Sequence, residues 1–371
     1  MAVLLFILGL LFLITGAEAL VRGASRIAAK LSISPLVIGL TVVAFGTSSP
    51  ELAVSIKSAL AGQAGIALGN VIGSNIFNVL FILGVSALIM PLTVARQLIR
   101  FDVPLMIVLS IVVLVLSLDQ NLGRIDGFLL VAGLIWYVWF LISQSRKESL
   151  TAASGHEEEF CTETDIPGGW LRNAGLIMVG LVLLLFGSHW LVEGAVSVAR
   201  YLGVSELIIG LTIVSAGTSL PELVTSVIAA IRGERDIAVG NVVGSNIFNM
   251  MGVLGFACIV APDGIEVSNA VIGFDLPVMI AVALACLPIF FTGGIISRWE
   301  GALLLGYYTA YTLYLILDAS RHDALTGFSA VMLYFVMPLT VITMIILVMQ
   351  EIRKRRNEGR NEVKVIQDNI D

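Results

Sequence analysis

Apolar runs of roughly 17 to 25 residues recur along the whole chain, and an α-helix needs this length to cross the hydrocarbon of a bilayer. Hydrophobic residues make up 58% of the 371 residues and charged residues only 13%, which is about half the charged share of a soluble domain. The alternating pattern of a membrane barrel does not occur. The sequence therefore predicts an all-α integral membrane protein.

Hydropathy predicts eleven spans, interrupted by one long polar insert that carries the acidic run Glu157 to Glu159. The chain is accordingly divided into a first repeat, an acidic cytoplasmic loop, a second repeat, an extra span and a basic-then-polar cytoplasmic tail, at 1–142, 143–170, 171–317, 318–350 and 351–371. The predicted spans are 2–21, 35–60, 66–90, 102–118, 124–142, 171–199, 206–230, 236–260, 271–292, 298–317 and 325–350.

The distribution of Lys and Arg predicts how the chain is oriented. If the N-terminus is outside, the cytoplasmic segments hold about 17 of these residues, because cytoplasmic loops collect Lys and Arg. The outside segments then hold only Arg124, Arg200 and Arg321. We therefore expect a multi-pass protein of the cell (inner) membrane, with the N-terminus outside, the C-terminus in the cytoplasm and lipid as its surroundings.

The sequence repeats itself at an offset of 171 residues. Residues 41–84 align without a gap onto 212–255, and roughly 24 of the 44 positions are identical. The shared blocks are GTSSPEL and GTSLPEL, followed by GNVIGSNIFN and GNVVGSNIFN. Each copy contains five predicted spans, so the second copy enters the membrane from the opposite side. Such inverted repeats are typical of secondary transporters, whose substrate binds near the midplane.

Two acidic residues, Glu51 and Glu222, lie deep within equivalent spans of the two copies. A carboxylate at this depth is unfavourable by several kcal/mol unless it is paired, protonated or facing a polar cavity. The matching spans offer no Lys or Arg at the same depth. A cation from solution is therefore the expected partner, and we expect the two glutamates to approach each other.

The residues around each glutamate suit a cation site. Pro removes a backbone hydrogen bond and clashes with the carbonyl four residues earlier, and Gly loosens the turn. These residues are predicted to break both helices and to free backbone carbonyls: Gly46, Pro50, Gly217 and Pro221. Irregular backbone at membrane depth is tolerated where it lines a cavity. The adjacent hydroxyls of Thr47, Ser48, Thr218 and Ser219 add further oxygens.

The next span of each copy supplies polar side chains at helical spacing. They are Asn70, Ser74, Asn75 and Asn78 in the first copy, and Asn241, Ser245, Asn246 and Asn249 in the second. Together with the glutamates they form an oxygen-only set that suits Ca²⁺ or Na⁺, whereas a transition metal prefers His or Cys. Small polar residues also glue membrane helices together, and for Asn75 and Asn246 both interpretations stay open.

At these motifs the sequence resembles the sodium/calcium exchangers of the calcium/cation antiporter superfamily, whose paired α-repeats look like the two GTS(S/L)PE and GNV(I/V)GSNIFN blocks. The resemblance implies a ten-helix exchanger core with four cation sites, and sliding of the first and sixth spans as the gate. It implies Ca²⁺ binding by Glu51 and Glu222 with the carbonyls of Thr47 and Thr218. It implies Na⁺ binding by the same glutamates with Ala44, Thr47, Ser48, Ser74, Ser215, Thr218, Ser219 and Ser245, and a central site completed by Asn78 and Asn249.

The sequence departs from the family at two points. Potassium-dependent members carry Asp where this chain has Asn249, which argues against K⁺ co-transport. The eleventh span, 325–350, lies outside the ten-helix core.

The expected function is antiport of about three Na⁺ for one Ca²⁺, as the resemblance implies. Ca²⁺/H⁺ exchange is the nearest alternative, and a cation channel is a more distant one. No nucleophile–base pair, cofactor motif or nucleic-acid-binding surface is found in the sequence. We therefore expect no enzymatic activity, no covalent cofactor and no nucleic-acid partner, with Na⁺ and Ca²⁺ as transported ions.

Overall fold

The computed structural model describes residues 2–31, 33–155, 169–203, 209 and 215–368; the side chains at 64, 146–155, 215 and 355–368 are not among the described ones. In the first repeat, π-helical turns interrupt several helices, at Gly39–Val43, Asn78–Ile82 and Leu98–Asp102, and a 3-10 turn covers Ser117–Asp119. The other elements are α1 (Ala2–Leu31), α2 (Pro35–Ile38), α3 (Ala44–Thr47), α4 (Ser49–Leu60), α5 (Ala64–Phe77), α6 (Leu83–Ile89), β1 (Leu92–Thr93), α7 (Val103–Leu116), β2 (Asn121–Leu122) and α8 (Arg124–Gly155).

The second repeat follows the same order, with π-helical turns at Asn249–Val253 and Val271–Asp275. A last π-helical turn, Met332–Val336, lies in the C-terminal segment. The elements are α9 (Trp170–Tyr201), α10 (Ser215–Gly217), α11 (Leu220–Ile231), α12 (Arg235–Phe248), α13 (Leu254–Val260), β3 (Ile265–Glu266), α14 (Leu276–Phe291), β4 (Ile295–Ile296), α15 (Arg298–Ala319), α16 (Ala324–Val331) and α17 (Met337–Asp368).

Within the described residues, nine helical segments are long and apolar enough to cross a membrane. A further crossing is broken: Pro35–Thr47 and Ser49–Leu60 are bent by 45° relative to each other. The all-α membrane fold is thus confirmed. The predicted seventh span, 206–230, contains residues 206–208 and 210–214, which lie outside the described residues. The count of eleven spans therefore stays a prediction.

Several helices extend beyond the predicted spans, because hydropathy marks only the part of a helix that contacts lipid. α1 continues past residue 21 to Leu31, and α8 continues past residue 142 to Gly155. α17 continues through most of the predicted tail. Arg, Lys, Glu and Gln are good helix formers, so these helices continue through polar sequence beyond the apolar spans. Residues 156–168, which include the acidic run, lie outside the described part of the chain.

The two repeats are inverted, as the sequence predicts, and their elements also pack across the boundary between the copies. α1 and α9, the first helices of the two copies, pack antiparallel to each other. The short strands pair across the repeats, β1 with β4 and β2 with β3. Because β1 and β3 follow equivalent helices, exchanging the two copies converts one sheet into the other. Each two-stranded sheet therefore contains one strand from each copy.

The packing of α1 on α9 depends on glycines seven residues apart. This spacing places them on one face of each helix, and small residues let membrane helices approach closely. A Cβ at Gly16 would lie 2.8 Å from the carbonyl oxygen of Gly180, and one at Gly187 would lie 2.7 Å from the backbone nitrogen of Leu13. The two backbones are therefore in direct contact. The glycines of this seam are Gly9, Gly16, Gly23, Gly180, Gly187 and Gly194.

Near its C-terminal end, α1 is also tied to the turn between α11 and α12. The guanidinium of Arg232 donates to the carboxylate of Glu18, which also pairs with Arg22 on α1 itself. The hydroxyl of Ser25 donates to Glu234 Oε1 at 2.6 Å. We call these contacts the α1 clasp. They connect the first span to a segment of the opposite repeat.

We expect the clasp to contribute little to stability, since partly exposed ion pairs are worth about 0–1 kcal/mol. The substitution Arg232→Ala should lower the Tm of the detergent-solubilised protein by no more than about 2–4 °C. Thermal unfolding followed by tryptophan fluorescence measures this. Arg22→Ala, which removes the other arginine from Glu18, is the matched control, and a drop as large as that of a core variant would contradict the expectation.

The C-terminal segment α16–α17 lies beside the helices of the two repeats. It packs on α14 and α15, where the hydroxyl of Tyr307 donates to Thr340 Oγ1 at 2.6 Å. Only 6% of its most apolar 18-residue window is buried. The segment contributes no residue to the predicted cation site.

Candidate cation-binding site

Both glutamates lie in the first turn of a half-helix. Ser48, with φ −81° and ψ 8°, ends α3, and Glu51 is the third residue of α4. Ser219, with φ −90° and ψ 9°, precedes α11 in the same way, and Glu222 is its third residue. The N-terminus of a helix carries a partial positive charge from its free N–H groups. The broken helices therefore bring both carboxylates to positions that favour negative charge.

The two carboxylates are connected across the repeats by crossed hydrogen bonds. The hydroxyl of Ser48 donates to Glu222 Oε1 at 2.9 Å, and that of Ser219 donates to Glu51 Oε1 at 2.9 Å. Ser74 Oγ lies 3.1 Å from Ser219 Oγ. The carboxylates also interact electrostatically with each other. The structure therefore brings the two predicted glutamates together at the junction of the copies.

Each glutamate keeps one oxygen without a partner. Both side chains are fully buried, and neither Glu51 Oε2 nor Glu222 Oε2 has a hydrogen bond or an ion pair with any described residue. Nine buried side-chain atoms lack a partner in the described part of the chain, and five belong to predicted ligands. Since buried polar atoms are normally hydrogen-bonded, five such oxygens on predicted ligand residues indicate a site for a cation. These oxygens are Glu51 Oε2, Glu222 Oε2, Asn78 Oδ1, Asn249 Oδ1 and Ser245 Oγ.

Four buried asparagines, two from each copy, are linked to one another by hydrogen bonds. Asn78 Nδ2 donates to Asn246 Oδ1 at 2.9 Å, and Asn249 Nδ2 donates to Asn75 Oδ1 at 3.2 Å. Asn75 and Asn246 also donate to each other's backbone carbonyls, at 3.4 and 3.3 Å. The pattern has the same pseudo-twofold symmetry as the sequence repeat. We call these residues the asparagine ring.

Another pair of asparagines supports the broken helices. Asn70 Nδ2 donates to the backbone carbonyl of Glu51 at 3.2 Å, and Asn241 Nδ2 donates to that of Glu222 at 3.3 Å. Their side-chain oxygens face threonines of the opposite repeat: Thr218 Oγ1 is 3.4 Å from Asn70 Oδ1, and Thr47 Oγ1 is 3.1 Å from Asn241 Oδ1. Each of these asparagines therefore fixes its own glutamate's backbone and contacts the other copy.

The remaining predicted residues have less direct roles in the geometry. The carbonyl of Ala44 already accepts from the backbone of Ser48 at 3.0 Å and from Thr47 Oγ1 at 3.4 Å. The side chain of Ser215 lies outside the described residues.

The glycines at the two helix breaks permit close packing on α9, because a Cβ at Gly46 would meet Leu181 and one at Gly217 would meet Val192. Pro50 and Pro221 are each the second residue of the helix after the break.

Thr225 is a buried polar residue near Glu222 that the sequence analysis did not single out. Its side chain is fully buried one turn after Glu222, and Thr225 Oγ1 has no hydrogen-bond partner among the described residues. The repeat places Val54 at the equivalent position of the first copy, where it is 38% exposed. A hydroxyl one turn after the repeated glutamate, where the other copy has an apolar residue, is the signal that could have identified it.

The chemistry of the site is limited to oxygen. The described residues contain no group of three or more His, Cys, Asp or Glu side chains that could hold a metal ion. The buried cysteines, Cys258 and Cys286, are free thiols away from the glutamates. Carboxylate, hydroxyl and amide oxygens are ligands for Ca²⁺ and Na⁺. Inverted repeats that meet at such a site between broken helices define a secondary cation transporter.

Comparison with known proteins identifies the family. The family described as sodium/calcium exchanger protein matches residues 1–143 and 172–317, so the chain belongs to the sodium/calcium exchanger family. It is 35% identical to the sodium/calcium exchanger MaX1 of Methanosarcina acetivorans, over 84% of this chain and 97% of that protein. It is 37% identical to the inner membrane protein YrbG of Escherichia coli, over 76% and 87%.

A solved structure has the same fold. The sodium-calcium exchanger NCX_Mj, soaked with zero Na⁺ and Ca²⁺, superposes with a TM-score of 0.71 at 31% identity, over 86% of this chain and 98% of that one.

Proposed function

We propose that this protein exchanges Na⁺ for Ca²⁺ across a membrane by alternating access, with Glu51 and Glu222 as the charged ligands. The observation that carries the proposal is the set of five buried oxygens without hydrogen-bond partners, two of which belong to glutamates. A bound cation supplies the partner that these oxygens lack within the described chain. Family membership supports the choice of Na⁺ and Ca²⁺.

The charge of the site explains why transport is coupled. One Ca²⁺ neutralises the two carboxylates, and two Na⁺ ions do the same, while a third Na⁺ is held by neutral oxygens. The unloaded site keeps a buried charge that is costly to enclose. The empty carrier therefore crosses poorly, and exchange is obligatory. About three Na⁺ per Ca²⁺ follows from the family resemblance, and the neutral Asn249 supports transport without K⁺.

The direction and the gate follow from the distribution of charge and from packing. The N-terminus lies outside and the C-terminus in the cytoplasm, since Lys and Arg concentrate on that side, and Na⁺ influx drives Ca²⁺ efflux. The relative YrbG is an inner membrane protein, which supports the same location here.

α1 and α9 move as one unit against the remaining helices, because their backbones are in direct contact along the glycine seam.

Uptake of ⁴⁵Ca²⁺ into proteoliposomes tests the function. Vesicles preloaded with Na⁺ should accumulate ⁴⁵Ca²⁺, and vesicles preloaded with choline should not. Uptake that instead follows a pH gradient without Na⁺ would establish Ca²⁺/H⁺ exchange. Uptake that is indifferent to the internal ion would establish a channel.

The crossed serines give a more specific prediction. Ser48→Ala and Ser219→Ala each remove a hydroxyl that contacts a carboxylate of the opposite repeat. Hydrogen bonds to charged groups are worth about 1.5–3 kcal/mol, so we expect the half-saturating Na⁺ concentration to rise roughly tenfold. We expect a smaller change for Ca²⁺, since the resemblance gives these serines to Na⁺.

Ser49→Ala is the matched control. The hydroxyl of Ser49 donates to the carbonyl of Phe45 in α3, four residues earlier in the same repeat, at 3.0 Å, and does not contact a carboxylate. The measurement is ⁴⁵Ca²⁺ uptake at a series of internal Na⁺ concentrations. Equal effects at Ser48 and Ser49 would contradict a specific role for the crossed hydrogen bonds.

A further inference from the structure

We infer that Asn75 and Asn246 are positioning residues that orient the side-chain amides of Asn249 and Asn78, so that amide oxygens rather than amide nitrogens face the transported cations. The inference deepens the proposed Na⁺/Ca²⁺ exchange and rests on it. In this role Asn75 and Asn246 do not bind the cation themselves; they hold the residues that do. The residues they orient belong to the opposite repeat.

The hydrogen bonds of the asparagine ring determine which way each amide points. The NH₂ group of Asn249 donates a hydrogen bond to Asn75 Oδ1 at 3.2 Å, and that of Asn78 donates one to Asn246 Oδ1 at 2.9 Å. The opposite end of each amide is its oxygen. Asn78 Oδ1 and Asn249 Oδ1 are both buried without a partner among the described residues. These hydrogen bonds therefore engage the NH₂ groups of Asn78 and Asn249 and leave their amide oxygens free to face a cation.

This orientation matters because an amide has two chemically opposite ends. With the oxygen toward the site, the amide dipole attracts a cation. With the amide reversed, two N–H groups would repel it. Asn78 and Asn249 are neutral, so their contribution depends entirely on which end faces the ion. A residue that accepts from the NH₂ group fixes this choice before the ion arrives.

Asn75 and Asn246 are themselves fixed by their own amide hydrogens. Each donates to the other's backbone carbonyl across the pseudo-twofold axis, at 3.4 and 3.3 Å. The same nitrogen atoms also lie near sulfur: Asn75 Nδ2 is 3.7 Å from the sulfur of Met279, and Asn246 Nδ2 is 3.5 Å from that of Met106. Thioether sulfur is only a weak acceptor. The acceptor oxygens of Asn75 and Asn246 are therefore committed to the opposite copy.

A role in packing alone gives a different expectation. Asn75 and Asn246 are buried, each with 2% of its surface exposed, and leucine has the same number of side-chain heavy atoms and the same branch point, without the polar groups. If only packing mattered, Asn75→Leu would leave ion binding unchanged. If the acceptor oxygen matters, the variant frees the amide of Asn249 and leaves its NH₂ group without a partner.

Double-mutant cycles on the full chain test the inference. We expect Asn75→Leu to raise the half-saturating Na⁺ concentration for ⁴⁵Ca²⁺ uptake about tenfold. In an Asn249→Ala background the same substitution should have almost no further effect, because the amide it orients is gone. When Asn75→Leu is combined with Asn78→Ala, the fold-changes caused by the two substitutions should multiply. The mirror-image cycle should couple Asn246 to Asn78 and leave Asn246 and Asn249 independent.

A conservative variant keeps the test informative where leucine disturbs the fold. Asn75→Asp retains an acceptor for Asn249 Nδ2 but adds a charge and removes the amide hydrogens of residue 75, so we expect its effect on the Na⁺ dependence to be the same with Asn249 present and in the Asn249→Ala background. Coupling of Asn75→Asp to Asn249→Ala as strong as that of Asn75→Leu would overturn the inference. Multiplicative effects in all four pairs would also overturn it.

The failure of the proposed function gives a different result. A wild-type protein without Na⁺-driven ⁴⁵Ca²⁺ uptake contradicts the exchange itself. An active wild type whose asparagine pairs show no selective coupling contradicts only the positioning role. Displacement of bound ⁴⁵Ca²⁺ by Na⁺ from the purified protein repeats the cycles without transport, with the same expected coupling.

Discussion

Glu51→Gln and Glu222→Gln should each reduce Na⁺-driven ⁴⁵Ca²⁺ uptake by a factor of roughly 100 or more. Each substitution removes one of the two charges that a bound Ca²⁺ neutralises, and breaking a buried ion pair by removing one partner costs about 3–5 kcal/mol. A difference of 1.4 kcal/mol corresponds to tenfold in an equilibrium constant. Because the two glutamates are equivalent in the repeat, the two variants should lose activity to a similar degree.

The same variants should fold normally. In the absence of Na⁺ and Ca²⁺, replacing a fully buried carboxylate by an amide relieves an unfavourable charge, so the Tm of the detergent-solubilised protein should stay level or rise. A ligand that binds the native state raises its Tm. We therefore expect Ca²⁺ to stabilise the wild type and to have little effect on either variant.

Glu193→Gln is the control for the loss of a glutamate. Glu193 is on α9, its side chain is 55% exposed, and it lies 3.9 Å from His189. This variant should keep wild-type uptake and wild-type stabilisation by Ca²⁺. Retention of Na⁺-driven uptake by Glu51→Gln or Glu222→Gln would show that the charged ligands have been wrongly assigned.

The sequence predicts the essential composition of the site because the repeat doubles every signal. A single buried glutamate has several explanations, but Glu51 and Glu222 occur in matched motifs of two inverted copies. The odd number of spans in each copy then requires the two to face each other. The positions of the helix breaks follow in the same way, from Gly and Pro on either side of Ser48 and Ser219.

The contacts between the copies could not be predicted. The pairing of Ser48 with Glu222, and of Asn75 with Asn249, depends on how the two repeats interlock in three dimensions. The spacing of Asn75 and Asn78 does not indicate which of them faces the ions. Two residues three positions apart point in directions only about 60° from each other around a helix. Hydrogen bonds across the pseudo-twofold axis distinguish the two.

Departures from symmetry are also difficult to read in a repeat. Attention to the identical positions identified Ser74 and Ser245 but passed over Thr225, which has Val54 as its counterpart. The close packing of α1 on α9 was missed for a related reason. Hydropathy treats glycine as nearly neutral, and the seven-residue spacing of glycines in both helices becomes meaningful only when the helices are known to be neighbours.

Gly16→Leu should prevent α1 and α9 from packing as they do, and we expect little folded and active protein. Even the Cβ of alanine at this position would lie 2.8 Å from the carbonyl oxygen of Gly180 and 2.9 Å from the backbone nitrogen of Leu184. A backbone cannot move aside as a side chain can, so the helices must separate. Overpacking by a methylene typically costs about 1–3 kcal/mol, and a whole leucine side chain between two backbones should exceed that range. Size-exclusion profiles and ⁴⁵Ca²⁺ uptake measure the outcome.

A graded series separates this effect from a general intolerance of α9 and α1 to substitution. Gly16→Ala and Gly187→Ala should lower the Tm by several degrees and slow exchange, because both enter the seam. Gly175→Ala is the matched control: it is on α9, and nothing in the described structure lies within 4 Å of a Cβ built there. This variant should be neutral or slightly stabilising, since alanine favours a helix over glycine by about 1 kcal/mol. Equal behaviour of Gly16→Ala and Gly175→Ala would mean that the backbones of the first and sixth spans are not in contact, and that the two helices are free to move separately during exchange.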